Sequence, residues 1–173
     1  MSPPMSDHDH SEPSLRGLLT EGCVSAHMVE PPALEDESWG PVEAIDAILL
    51  APEPLLGLET ILDNGALERV LPEVYAIVDF HKSCPVHHKD LWTHTLEVLE
   101  RSRLDANLRW AVLLHDVGKI DTRAIDDSGR VSFHGHEELG GTIMRDVGVR
   151  IGMGAERIER IAIIIERHGR VNA

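Results

Sequence analysis

Apolar residues recur three and four positions apart from Pro41 onward, the spacing of one helix face. A first helix is predicted to begin at Pro41, since proline suits a first helical position. A second, short helix is predicted over 55–62, and a third from Ala66 to about Phe80, which Pro72 either kinks or breaks. No strand-like alternation occurs between Pro41 and Phe80, so this region is interpreted as a helical scaffold.

The second half of the chain continues the helical pattern. Asp90 and Asp105 are each predicted to cap a helix, the first running to about Arg103 and the second ending near His115. Further helices are predicted from His136 and over 155–168. The polar loop over 120–133 contains a turn signal that is compatible with a short hairpin. The predicted fold class is therefore all-α, a helical bundle with a metal site between its helices.

Four of these predicted helices each carry a histidine on the apolar face: His94, His115, His136 and His168. A single histidine in that position is most often a hydrogen-bonded core residue. Burying four titratable rings and the neighbouring carboxylate of Asp116 without a cation would be costly, so the pattern predicts a divalent metal site. Gly118 is interpreted as the flexible position at which the helix before it stops.

The donor types restrict the metal and the chemistry. Imidazoles with one carboxylate favour Mn, Fe, Co, Ni or Zn, and Mg fits if waters complete its shell. Either two ions share Asp116, or some imidazoles bind substrate instead. A metal lowers the pKa of bound water towards neutrality and so provides hydroxide for attack on phosphorus. Lys119 either neutralises phosphate oxygens or is an ordinary cation at a helix end.

Composition limits the partners. The 173 residues suit one domain at 41–173, after a tail at 1–40 that is rich in Pro, Ser, Asp and Glu and is predicted to be largely disordered. A net charge of -14 argues against duplex nucleic acid, but not against a small nucleotide or an RNA 3' end. The two cysteines indicate a reducing, cytoplasmic interior. The apolar runs are too short for a membrane span, and no signal peptide is expected.

Three stretches of this chain resemble a known family. They are Asp90-Leu91-Trp92-Thr93-His94-Thr95-Leu96, Leu114-His115-Asp116-Val117-Gly118-Lys119 and Phe133-His134-Gly135-His136-Glu137. Together they resemble the HD domain of bacterial CCA-adding tRNA nucleotidyltransferases, over a region from roughly Val42 to His168. The histidine followed by a His-Asp pair is specific for the HD superfamily, and the His-Gly-His element narrows the resemblance to this branch.

The resemblance implies an all-α, metal-dependent phosphohydrolase of the 2',3'-cyclic phosphodiesterase, 2'-nucleotidase or phosphatase type. Family ligands map onto His94, His115 and Asp116, while His134, His136 and His168 match further motif positions. Either His87 or His88 matches an upstream histidine for a second metal or a phosphate. Many HD enzymes have an aspartate where this chain has His168. The nucleotidyltransferase head has no counterpart before Val42, so nucleotide addition is not expected.

These observations predict one or two divalent ions bound by His94, His115, Asp116, His136 and His168, with Asp116, Lys119 and His134 as catalytic residues. The first hypothesis is a hydrolase that removes phosphate, or opens cyclic phosphate, on nucleotides or RNA 3' ends. A second is an HD hydrolase of another small nucleotide, such as a deoxynucleotide or an alarmone. A third is a non-catalytic RNA-processing partner that keeps the metal for stability.

Overall fold

The computed structural model describes residues 39–80 and 90–169, which form nine α-helices and one two-stranded sheet. The helices are α1 (Pro41–Leu50), α2 (Pro54–Asp63), α3 (Ala66–Val70), α4 (Pro72–Phe80), α5 (Leu91–Arg101), α6 (Ala106–Leu114), α7 (Lys119–Thr122), α8 (His136–Arg150) and α9 (Ala155–Arg167). The all-α prediction is confirmed. The predicted disordered tail lies outside the described residues, except for its last two positions, and the domain boundary stays a prediction.

Helices α1 to α4 form the scaffold that the apolar spacing predicts. The predicted inner face of α1 is buried, as the exposures of Val42, Ile45, Ile48 and Leu49 show. The predicted third helix is broken and not merely kinked, because α3 ends at Val70 and α4 begins at Pro72. Leu71 between them has left the helical region, with φ -130 and ψ 65. Proline cannot donate a backbone hydrogen bond, which explains the break.

Both predicted helix caps are present in the structure. The Asp90 carboxylate accepts a hydrogen bond from the backbone N–H of Trp92 at 3.0 Å, at the start of α5. The Asp105 carboxylate accepts one from the N–H of Leu108 at 2.9 Å, at the start of α6. These caps satisfy N–H groups that a helix leaves unpaired in its first turn. They fix the starting points of the two helices that carry His94 and His115.

Among the described residues the buried core is aliphatic apart from two tryptophans, Trp92 and Trp110, and α9 packs against both α8 and α6. Trp110 is fully buried in α6, and its indole N–H donates to Asp46 of α1 at 2.7 Å. The same carboxylate accepts two hydrogen bonds from Arg157 of α9, at 2.6 and 2.7 Å. Asp46 therefore connects three helices. Among the described helices, none has the length and apolar character that a membrane span requires.

The hairpin within the 120–133 loop is confirmed. Strand β1 (Ala124–Ile125) pairs antiparallel with β2 (Val131–Ser132), and Ile125 lies opposite Val131. The Asp126 carboxylate closes the turn by accepting hydrogen bonds from the backbone N–H groups of Ser128 and Arg130, each at 3.0 Å. This is the local side-chain turn that aspartate favours.

The interpretation of Gly118 as a flexible helix stop is wrong. Its backbone is right-handed helical, with φ -66 and ψ -15, and the chain continues directly into α7. The glycine is instead required by space, because a Cβ there would overlap the backbone carbonyl of His136 and touch the N–H of Gly140. The turn after α6 thus lies directly against the first turns of α8, which brings Asp116 close to His136.

Candidate metal centre

The structure brings four of the predicted histidines and one aspartate together from four different helices and the turns next to them. His94 lies within α5, His115 follows α6, His136 begins α8, and His168 follows α9. Their ligand atoms form two groups, each with all atoms within 4.8 Å of one another. The His94 group contains His94, His115 and Asp116, and the His136 group contains Asp116, His136 and His168.

Three of the four imidazoles are oriented by backbone carbonyls. The Nδ1 atoms of His115, His136 and His168 lie 2.7, 2.8 and 2.6 Å from a carbonyl oxygen three positions earlier in the chain. These carbonyls belong to Val112, Phe133 and Ile165. A carbonyl only accepts, so Nδ1 must carry the proton and donate it. Nε2 then keeps the lone pair, which is the arrangement of a metal-binding histidine.

The carboxylate of Asp116 is shared between the two groups and is fully buried. Its Oδ2 accepts a hydrogen bond from Nζ of Lys119 at 2.8 Å and lies 3.3 Å from Nε2 of His115. Its Oδ1 accepts no hydrogen bond from the described residues. That oxygen lies 3.7 Å from Nε2 of His136 and 3.8 Å from Nε2 of His168.

These spacings fit a metal better than they fit hydrogen bonds. Ligand atoms bonded to one ion at about 2.0 to 2.2 Å are themselves about 3 to 4 Å apart. Oδ1 of Asp116 and the two Nε2 atoms of His136 and His168 satisfy this condition, since the two nitrogens are 3.3 Å apart. A buried carboxylate oxygen without a donor costs about 1 to 3 kcal/mol. A cation between these atoms would remove that cost.

The electrostatics favour the metal-binding protonation states. Burial lowers the pKa of His115, and this effect outweighs the opposing influence of the Asp116 carboxylate. Burial acts to raise the pKa of Asp116, but His115, which is protonated in acid, and the positive charge of Lys119 outweigh it and leave this pKa below its usual value. At neutral pH the pair is therefore a neutral imidazole beside an ionised carboxylate. Those are the forms that coordinate metal.

The other predicted site residues lie differently. His134 is exposed on the turn before α8 and is in neither ligand group, so its catalytic role stays a prediction. Gly135, with φ +79, reverses the chain there, so that the next residue, His136, is turned inward. His87 and His88 lie outside the described residues. Lys119 contacts Asp116, and its Nζ lies 5.8 Å from the centre of the Phe133 ring.

Sequence reasoning gave no role to Glu137. Its Oε2 lies 3.1 Å from Nδ1 of His136, and its carboxylate also fills the space beside Gly169, directly after His168. A carboxylate next to the outer nitrogen of a ligating histidine helps to fix the orientation of its ring and the nitrogen that carries the proton. The sequence did contain a signal for this role, because Glu137 is an acidic residue directly after the candidate ligand His136.

Comparisons with known proteins found one family model and several similar chains. The family model of the HD domain matches residues 91–172. The chain is 34% identical over 132 residues to the A-adding tRNA nucleotidyltransferase of Deinococcus radiodurans, which is 73% of this chain and 30% of that protein. It is 36% identical over 134 residues to the CC-adding tRNA nucleotidyltransferase of Thermus thermophilus, again 73% of this chain and 30% of that protein.

A third relative is a multifunctional CCA protein of Halorhodospira halophila. It is 42% identical over 109 residues, which is 60% of this chain and 25% of that protein. The chain therefore spans only about a third or less of the length of these relatives. The match to the HD family model, at residues 91–172, covers the region in which the two ligand groups lie.

Proposed function

The chain contains an HD domain at residues 91–172, and on this premise we propose that it is a metal-dependent phosphohydrolase. The proposed substrates are nucleotides or RNA 3' ends that carry a phosphomonoester or a 2',3'-cyclic phosphate. The observation that carries the proposal is Oδ1 of Asp116, which is buried without a donor and faces two Nε2 atoms. A hydrolytic centre needs such a preorganised set of metal ligands.

The residues of the two groups would hold one or two divalent ions, with Asp116 as the shared ligand. When bound, a divalent ion lowers the pKa of water towards neutrality and polarises a phosphate oxygen, which favours attack on phosphorus. Lys119 is close enough to the centre to bind phosphate oxygens as negative charge builds up in the transition state. His134, exposed on the turn before α8, is proposed to contact substrate from outside the two groups.

The choice of substrate rests on charge and on the relatives. The net charge of -14 disfavours long nucleic-acid backbones, whereas a single phosphoester can be neutralised locally by metal and Lys119. The relatives from Deinococcus radiodurans and Thermus thermophilus are named as enzymes that add nucleotides to tRNA. An HD domain similar to theirs is suited to an RNA end, and with such a substrate we propose that the protein acts in the cytoplasm.

A substrate screen tests the proposal. The purified protein is supplied separately with Mn²⁺, Ni²⁺, Co²⁺ or Mg²⁺ and is offered 2',3'-cAMP, 2'-AMP, 3'-AMP, dAMP and p-nitrophenyl phosphate. We expect metal-dependent phosphate release or ring opening on the 2'- and 2',3'-substrates. Hydrolysis of dAMP alone would favour the second hypothesis, a hydrolase of deoxynucleotides. No turnover with any metal, in a chain that still binds metal, would favour the non-catalytic partner.

Two substitutions test whether any activity depends on the metal centre. Asp116→Ala is expected to lose metal and to lower turnover by at least about a hundredfold, because both groups lose their shared ligand. Asp126→Ala removes an equal charge from the exposed hairpin turn and should leave turnover unchanged. Metal content is measured by elemental analysis. Wild-type turnover in a metal-free Asp116→Ala protein would contradict the assignment.

A further inference from the structure

We propose that the ammonium group of Lys119 competes with a metal ion for Asp116 at the His94 group. The two groups therefore bind metal with unequal affinity, and the His136 group is the tighter site. The inference rests on the metal centre proposed above and adds an order of filling to it. The first ion binds the His136 group and leaves Lys119 in place. The second ion binds the His94 group and must displace Lys119 from Asp116.

The argument begins with the two oxygens of one carboxylate. Oδ2 of Asp116 already has a cationic partner, since Nζ of Lys119 lies 2.8 Å away. It is also the oxygen nearer to the His94 group, because Nε2 of His115 is 3.3 Å from it. Oδ1 faces His136 and His168 and receives no hydrogen bond from the described residues. The carboxylate therefore offers one occupied oxygen and one open oxygen.

Lys119 is held in this position by its surroundings. It begins α7, three residues after Asp116, and its ammonium group lies 5.8 Å from the centre of the Phe133 ring. Its side chain is mostly covered, with 21% of its surface exposed. A cation that is partly shielded from water interacts strongly with nearby charges. An ion entering the His94 group would lose part of Asp116 to the lysine and would also be repelled by it.

No described residue donates a hydrogen bond to Oδ1, the oxygen that faces the His136 group. Its two histidines already present Nε2 towards Oδ1, because their Nδ1 atoms are held by the carbonyls of Phe133 and Ile165. An ion can bind there without breaking an ion pair. Once a second ion has taken Oδ2, the Lys119 side chain is released and is free to bind a phosphate oxygen. Full loading of the centre and substrate binding by Lys119 are thereby linked.

Calorimetric titration of the metal-free chain with Co²⁺ tests the inference. The wild-type protein should bind one ion tightly and a second at least about tenfold more weakly. Lys119→Met should strengthen the weak event by about tenfold or more, because it removes the competing charge, and should leave the tight event within about threefold. Arg160→Met is the matched control, since it removes one positive charge at an exposed pair with Glu156. It should change neither event.

Two further variants assign the events without relying on Lys119→Met. His136→Asn should abolish the tight event, and His94→Asn should abolish only the weak one. The absorption bands of bound Co²⁺ follow the same assignment. The inference is overturned if Lys119→Met leaves both affinities unchanged, if wild type and Lys119→Met each bind one ion only, or if His94→Asn removes the tight event.

These results are separable from a failure of the proposed function. A chain that binds no Co²⁺ in any form lacks the proposed centre, and the order of filling fails with it. A chain that binds two ions equally and hydrolyses phosphoesters retains the function but has no competing lysine. Ordered binding without turnover supports the inference and contradicts hydrolysis.

Discussion

At the scale of single residues, the centre depends on how each polar group is held. Asp116 is buried, and its two oxygens face different partners. His115, His136 and His168 are each anchored through Nδ1, which leaves Nε2 for coordination. A residue that lies outside both ligand groups and contacts none of their side chains would have to act on substrate directly.

His134 is the residue to which this applies most directly. His134→Ala should lower turnover by about a hundredfold, the usual effect of losing a positioned acid or base, while leaving the metal content unchanged. Its side chain is exposed, so the melting temperature should stay close to that of wild type. Steady-state kinetics and elemental analysis measure the two effects. Loss of metal in this variant would instead make His134 a ligand.

The pKa of His115 gives the metal-free protein a pH-dependent stability. Burial lowers this pKa below 6.5, so the unfolded chain takes up the proton more readily than the folded chain. Stability is therefore full above pH 6.5 and is lost as the pH falls towards the folded pKa. We expect a larger fall in melting temperature between pH 7.5 and 5.5 for wild type than for His115→Asn, both in chelator. Parallel falls in the two proteins would contradict this origin.

The helical spacing of residues in the sequence predicts most of the ligand set. The remaining features of the site depend on contacts that this spacing does not show. Helical periodicity brings His94, His115, His136 and His168 to inner faces, and the structure places all four in the ligand groups. It also placed His136 on an inner face and left His134 out of that set, but it did not show the exposed turn before α8, which depends on the positive φ of Gly135. It could not show which contacts His134 makes. Nor could it place Lys119 on one particular oxygen of Asp116.

At the scale of elements, the centre forms where helix ends meet. The turn after α6 packs against the start of α8 so closely that Gly118 leaves no room for a Cβ. Helix periodicity reports which face of a helix is buried, but not how closely two backbones approach. For this reason the sequence indicated Gly118 as a point of flexibility when it is a point of contact. Pro72 is the opposite case, because the effect of proline is local and could be predicted.

Gly118→Ala tests this contact. The added methyl group must push the turn after α6 away from the carbonyl of His136, which should cost about 1 to 3 kcal/mol of unfolding free energy. Metal affinity should fall too, because the same contact sets the distance between Asp116 and His136. Gly154→Ala is the control, since a Cβ there meets nothing within 4 Å and its loss should stay below about 1 kcal/mol. Chemical denaturation measures both variants, and equal losses would count against the contact.

At the scale of the molecule, three helices are fastened to one another at a distance from the centre. Asp46 of α1 accepts hydrogen bonds from Trp110 of α6 and from Arg157 of α9. The pKa of Arg157 is raised by its hydrogen bonds to this carboxylate, so the guanidinium stays charged across the physiological range. Since α6 leads to His115 and α9 leads to His168, bound metal and this cluster would hold the same two helices at different points along their length.

Metal removal should therefore lower the stability of the whole fold. An ion that binds only the folded state at a hundred times its dissociation constant adds about 2.7 kcal/mol of stability. For a chain of this size, chelation should lower the melting temperature by about 5 to 10 °C. Differential scanning calorimetry with and without chelator measures the shift. Asp116→Ala should show no such shift, and a chelator effect in that variant would locate the stabilising ion elsewhere.

The carbonyl anchors of His115, His136 and His168 have a consequence for how fast metal is exchanged. Each ring is aimed by an oxygen only three residues away, so its direction is set within a single turn of chain. An arriving ion then meets nitrogens that already point inward, and little side-chain freedom is lost on capture. Loading and unloading should proceed without refolding of any helix, and the far-ultraviolet circular dichroism of the two forms should coincide.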